Sequence, residues 1–169
     1  CIIAIGGDGF MLHTIRQNWQ NRVPFLGING GTLGFLLNNT SFETLVEKLK
    51  NAGTLKTYMQ PLLHVQSNLD DGTSVSNLAF NDAWIEKSNM QTGWMRLSVD
   101  GEVKFERIMG DGILVSTAAG STGYAWAMGA TPIIIGTPML MLAGSNICSH
   151  RWNFAPLPMN AKVFIEVLD

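Results

Sequence analysis

The rhythm of apolar and polar positions changes near residue 60, and that change divides the chain. Cys1-Ile2-Ile3-Ala4-Ile5 is continuously apolar, as expected of a strand covered on both faces. Past a glycine turn, Met11, Leu12, Ile15 and Trp19 recur at helical spacing, and Pro24 closes the connection. Phe25-Leu26-Gly27-Ile28-Asn29 reads as a second strand. Thr40 and Glu43 then have the spacing of a capping box. It opens a helix with Phe42, Leu45, Val46 and Leu49 on one face and Gly53 as terminator. The order βαβα predicts a parallel, Rossmann-like α/β portion over residues 1–58.

After Pro61 the period shortens to two. Leu62–Ser67 and Ser74–Phe80 flank Asp70-Asp71-Gly72, while Met95–Val99 and Glu102–Ile108 flank Asp100-Gly101. An Asp-Gly pair between alternating runs is a two-residue hairpin signal. Residues 59–169 are therefore expected to form a mostly antiparallel β domain. The chain starts inside one apolar run and stops inside another, Lys162–Leu168, so truncation at both ends is expected.

Composition narrows the function. The chain has 169 residues, 46% of them hydrophobic and only 14% charged, against roughly 25% charged in an ordinary domain. A surface so short of charge predicts burial against a partner, and a homodimer or homotetramer is the expectation. The net charge of −2 gives no footprint for nucleic acid. No apolar run reaches membrane-spanning length. The two cysteines, Cys1 and Cys148, make no disulfide framework and suit a reducing, cytoplasmic compartment.

Glycine turns carry the candidate chemistry. Gly6-Gly7-Asp8-Gly9 joins a buried strand to a helix, where glycines admit a ligand to the backbone and the helix start offers N–H groups to an anion. A carboxylate there would repel phosphate, which makes Asp8 a candidate base for a hydroxyl or an indirect magnesium ligand. Capping the following helix is the ordinary alternative. Asn29-Gly30-Gly31-Thr32-Leu33-Gly34-Phe35 follows the second strand and opens on the same sheet edge. Neither stretch is a dinucleotide fingerprint, and a Walker-type phosphate loop is absent. Asn81-Asp82 is a polar pair inside an apolar run, and a ligand ribose or amide would satisfy it. From Gly110-Asp111-Gly112 to Tyr124, Ser116, Thr117, Ser121 and Thr122 form a neutral, donor-rich cradle suited to phosphate or ribose.

In this order the four features resemble the NAD kinase family. That family carries a Gly-Gly-Asp-Gly turn and then an Asn-x-Gly-x-Leu-Gly-Phe-Leu stretch. An Asn-Glu pair and a long Asp-Gly…Ser-Thr-x-x-Gly-Ser-Thr-Ala-Tyr motif follow. The counterparts here are Gly6–Gly9, Asn29–Leu36, Asn81-Asp82 and Asp111–Tyr124, and the set covers most of the chain. The first turn alone is shared with lipid kinases and sugar kinases. The resemblance implies phosphorylation of the adenosine ribose 2′-hydroxyl of NAD, giving NADP, with ATP (or polyphosphate) and Mg2+. It also implies a homo-oligomer whose site borrows residues from a neighbouring subunit. Asp8 would be the catalytic residue, with Gly7 and Gly9 beside it. Asn81 and Asp82 would hold the ribose, Ser121, Thr122 and Tyr124 the adenine side, and Phe35 the pocket wall. Asp111 would reach the nicotinamide end from a neighbouring subunit. No protein metal site is implied. Alternatives are a lipid or sugar kinase sharing the turn and a catalytically inactive NAD-binding regulator. Departures from the pattern are Asp82 for Glu, Ala118 for Pro, Gly123 for Ala and Ser149 for Pro.

Overall fold

In the computed structural model the first apolar run forms β1 (Ile2–Gly6), and the second forms β2 (Phe25–Asn29), parallel to it from Ile2↔Phe25 to Gly6↔Asn29. Between them lie α1 (Asp8–Asn18) and one 3-10 turn, Trp19–Asn21. α2 (Phe42–Lys50) follows. The structure describes residues 1–169 apart from 52, 54, 151 and 169, and nothing is described of the Phe42 side chain. Two compact units result, Cys1–Tyr58 and Met59–Asp169.

Helical spacing explains which side chains α1 buries: Met11 and Ile15 face inward, one turn apart. Trp19 was expected on the same face but starts the 3-10 turn and is exposed. The cap of α2 also differs from expectation. Ser41, not Thr40, is the N-cap, because its extended backbone (φ −75°, ψ 161°) brings Oγ onto the Thr44 N–H. The helix ends at Lys50 with Asn51 as its C-cap, two residues before Gly53. Leu45 is its buried contact.

The second unit is antiparallel. β3 (Leu63–Asn68) and β4 (Ser74–Ala79) make a hairpin around Gly72, whose φ of 84° lies in the left-handed region. Four strands run in the order β10-β9-β8-β5, where β5 is Asp82–Glu86, β8 Gly112–Thr117, β9 Met139–Ser145 and β10 Phe154–Pro158. Three more run β11-β6-β7, from Val163–Val167, Gly93–Val99 and Glu102–Gly110. The β6–β7 turn has positive φ at both Asp100 (52°) and Gly101 (84°), the requirement of a tight two-residue hairpin.

Both faces of the central strands are covered. Met95, Leu97 and Ile108 of the three-stranded sheet pack with Ile113 and Leu142 of the four-stranded one. On the other side, Leu114, Met141 and Ala143 pack with Ala125 of α3 (Tyr124–Ala127) and Ala130. A strand buried on both faces cannot alternate in polarity, which accounts for the run Ile113-Leu114-Val115.

Candidate active site

Asp8 is the first residue of α1 but does not cap it; the N-cap is Gly7 and receives no side-chain bond. Its carboxylate reaches across to the loop after β2. Oδ2 accepts from Phe35 N–H at 2.8 Å and Oδ1 from Leu36 N–H at 2.9 Å. That loop is itself pinned down. Gly30 N–H donates to Gly6 O at 2.9 Å, Asn38 N–H to Gly27 O at 2.9 Å, and Gly31 N–H to Asn29 Oδ1 at 3.0 Å. Packing is close at Gly34, where a Cβ would lie 2.8 Å from Leu37 Cδ1 and that side chain would have to shift. Gly7 and Gly9 are exposed, and a Cβ on either would meet nothing within 4 Å. The turn is therefore open beside a carboxylate of fixed orientation.

In the second unit the turn after β8 touches the residues just before β5. Thr117 Oγ1 donates to Phe80 O at 2.8 Å and lies 3.1 Å from Asn81 O; Thr117 N–H donates to Asn81 O at 2.8 Å. The Asn81 side-chain Oδ1 is buried and has no hydrogen-bond partner among the described residues. Such an atom is costly without a partner. Asp82 is half-buried, and burial raises its carboxyl above the ordinary aspartate value.

Ser121 is fully buried, and its hydroxyl serves the turn. It donates to Ala118 O at 2.8 Å and accepts from Ile133 N–H at 2.7 Å. Thr122 is half-buried beside it. Tyr124 stands 58% exposed, its ring meeting Trp84 edge to face with centroids 4.5 Å apart. Asp111 is engaged on both oxygens: Lys87 Nζ is 2.6 Å from Oδ1, and Asn146 Nδ2 donates to Oδ2 at 2.7 Å. These two partners hold its carboxyl below the ordinary range, Lys87 contributing more.

Asp8, Gly7, Gly9 and Phe35 thus lie together in the first unit, and Asn81, Asp82, Ser121, Thr122 and Tyr124 gather around one turn of the second. Asp111 sits at the opposite end of β8 from that turn. Sequence reasoning passed over Thr117 and Lys87 as individual residues. The signal for Thr117 was only its place in a Ser/Thr cluster; for Lys87 there was none. His150 lines an open cleft of about 610 Å³ with Ile147, Cys148 and Trp152, and its Nδ1 lies 2.8 Å from Ser149 Oγ. Among the described residues no group of three His, Cys, Asp or Glu side chains could hold a metal ion, and no helix is long and apolar enough to cross a membrane.

Residues 1–55 match the ATP-NAD kinase N-terminal domain family. The chain is 35% identical over 169 residues to an NAD kinase of Cereibacter sphaeroides and 32% identical to one of Rhizobium meliloti, covering 99% of this chain in each case. It spans 65% of the length of those relatives. Among solved structures, an NAD kinase from Archaeoglobus fulgidus in complex with ATP superposes with a TM-score of 0.74 at 25% identity. That match covers 98% of this chain and 64% of the other. Yeast NADH kinase complexed with NADH superposes at 0.77 and 22% identity, over 98% and 49% of the two chains, a likeness of fold.

Proposed function

We propose, because this chain belongs to the NAD kinase family, that the whole protein transfers the γ-phosphoryl group of ATP, or of polyphosphate, to the adenosine ribose 2′-hydroxyl of NAD, producing NADP. The observation that carries this reading is the setting of Asp8. Its carboxylate is clamped by two backbone N–H groups from the Leu33–Leu36 loop and is not used as a helix cap. A carboxylate offers about four acceptor positions, so a hydroxyl can still be received. The 2′-oxygen attacks the γ-phosphorus, the bond to the departing ADP oxygen breaks, and the hydroxyl proton passes to Asp8. Little further covalent apparatus is needed where positioning and charge stabilisation dominate.

Asn81 Oδ1 supplies the complementary argument. An orphaned buried acceptor next to a hydroxyl-rich turn is suited to a ribose hydroxyl. Asp82 shares that role, its short carboxylate being partly desolvated. Thr122 and the exposed ring of Tyr124 take the adenine side, Phe35 forms the wall near Asp8, and open Gly7 and Gly9 admit the ligand. Ser121 holds the turn from inside. Asp111, kept ionised by Lys87, faces the nicotinamide end of NAD bound to a neighbouring copy in a homodimer or homotetramer. The exposed apolar side chains Trp126, Ile134 and Phe164 support self-association. Mg2+ fits as the companion of ATP, held chiefly by substrate phosphates. Its chemistry is to neutralise phosphate charge. The two exposed free thiols suit a cytoplasmic location.

Incubating the full-length protein with ATP, Mg2+ and NAD tests the reading, with a diacylglycerol and a hexose phosphate as competing acceptors. NADP is the expected product. Phosphorylation of the lipid or sugar in preference to NAD, or saturable NAD binding with no product from ATP or polyphosphate, would overturn it.

A further inference from the structure

We infer that Thr117 is a positioning residue for the NAD site: its hydroxyl sets the pose of Asn81 and locks it to the Gly120-Ser121-Thr122 turn. Thr117 is fully buried and ends β8, paired with nothing on the neighbouring strand β5 at its own level. Its single hydroxyl proton goes to Phe80 O at 2.8 Å, with Asn81 O 3.1 Å away, and its oxygen accepts from Gly120 N–H at 3.3 Å. One side chain therefore bonds on one side to the residues that present Asn81 and on the other to the turn that presents Thr122.

The backbone around Asn81 is over-determined. Its carbonyl receives Thr117 N–H at 2.8 Å and lies 3.3 Å from Ser116 Oγ, besides the Thr117 hydroxyl. Gly120 closes the other side: a Cβ built there would sit 2.6 Å from the Asn81 carbonyl carbon and 2.8 Å from its Cα. The turn and the Asn81 backbone are thus in contact, with no slack for a side chain between them. Against this rigid frame the Asn81 side chain keeps a buried Oδ1 without a partner among the described residues. An unsatisfied buried polar atom costs free energy, and the frame fixes the backbone from which the Asn81 amide projects. The atom is then already in place when a ligand hydroxyl arrives, so less ordering is needed on binding. A valine at 117 would fill the same volume and withdraw the bonds from both sides at once. A serine would keep them.

The inference rests on the reading of Asn81 as a ligand contact, and the two can fail separately. In the full-length protein, Asn81→Ala should raise KM for NAD about tenfold, the size of one lost hydrogen bond. Thr117→Val should raise KM for NAD by a similar factor while KM for ATP stays unchanged. Thr117→Ser should restore the native value. The double variant should be no worse than Asn81→Ala, since both act through one side chain. A native KM for NAD in Thr117→Val, with Asn81→Ala impaired, overturns the positioning role alone. A native KM in Asn81→Ala overturns the site reading. If Thr117→Val does not fold, hydrogen exchange in the native protein decides. Gly120 N–H should be protected as strongly as the amides within β8, and exchange as fast as an open turn would overturn the proposal.

Discussion

Replacing Asp8 should damage both chemistry and stability, and the structure says why asparagine is no gentler than alanine. Each carboxylate oxygen accepts one backbone N–H, Phe35 at 2.8 Å and Leu36 at 2.9 Å. A hydrogen bond to a charged group contributes about 1.5–3 kcal/mol when well shielded, and the partial exposure of this site places each at the lower end. Asp8→Ala loses both bonds, about 3 kcal/mol together. Asp8→Asn keeps one oxygen but turns the other into an NH2 group facing an N–H donor, so one bond is lost and one repulsive contact appears. The two variants should therefore lose similar stability, within about 1 kcal/mol of each other. Urea unfolding of each purified variant measures that loss. Initial rates of NADP formation should fall by about two to four orders of magnitude for Asp8→Asn, the usual contribution of a positioned acid–base group. An Asp8→Asn protein as stable as wild type would contradict the double clamp. One with a near-native rate would remove Asp8 from the reaction.

Two further predictions concern pH. Lys87 and Asn146 hold the Asp111 carboxyl below the ordinary range, so their contribution to stability is present above the ordinary aspartate value of about 3.9 and is lost as pH falls through the lowered one. Lys87→Met should therefore be less stable than wild type at neutral pH, the gap closing in acid; a constant gap in unfolding experiments across that range would contradict the ion pair. Asp82 has the opposite sign: burial raises its carboxyl, so the folded state binds the proton more tightly and stability falls as pH rises from about 3.9 through the raised value. Asp82→Asn should remove that fall, and an unchanged stability–pH curve would refute the desolvation argument.

Local chemistry made much of this fold legible. Asp100-Gly101 dictates its own positive φ values, so the hairpin follows from two residues. The continuous apolar run at β8 similarly reported a strand covered on both faces, whereas the run at β1, expected to be covered on both, leaves Ile3 and Ile5 exposed. Boundaries were less legible where neighbouring residues were equally competent, as with Thr40 and Ser41 at the cap of α2. The site was legible as motifs but not as bonds. Nothing local in Gly6-Gly7-Asp8-Gly9 says that the carboxylate is held by N–H groups 27 and 28 positions away. Ser116, Thr117, Ser121 and Thr122 look alike as a hydroxyl-rich run, yet Ser121 is bonded inward to Ala118 and Ile133 while Thr117 joins two segments 36 residues apart. Lys87 carried no signal because its meaning depends on the strand pairing that brings it to Asp111.

A structure of the full-length protein with NAD bound tests the central claim most directly. The account predicts the adenosine ribose 2′-hydroxyl within hydrogen-bond distance of an Asp8 oxygen that still accepts from Phe35 or Leu36, and a ligand hydroxyl on Asn81 Oδ1. NAD bound with its adenosine ribose away from Asp8, and with Asn81 Oδ1 still unpartnered, would contradict it.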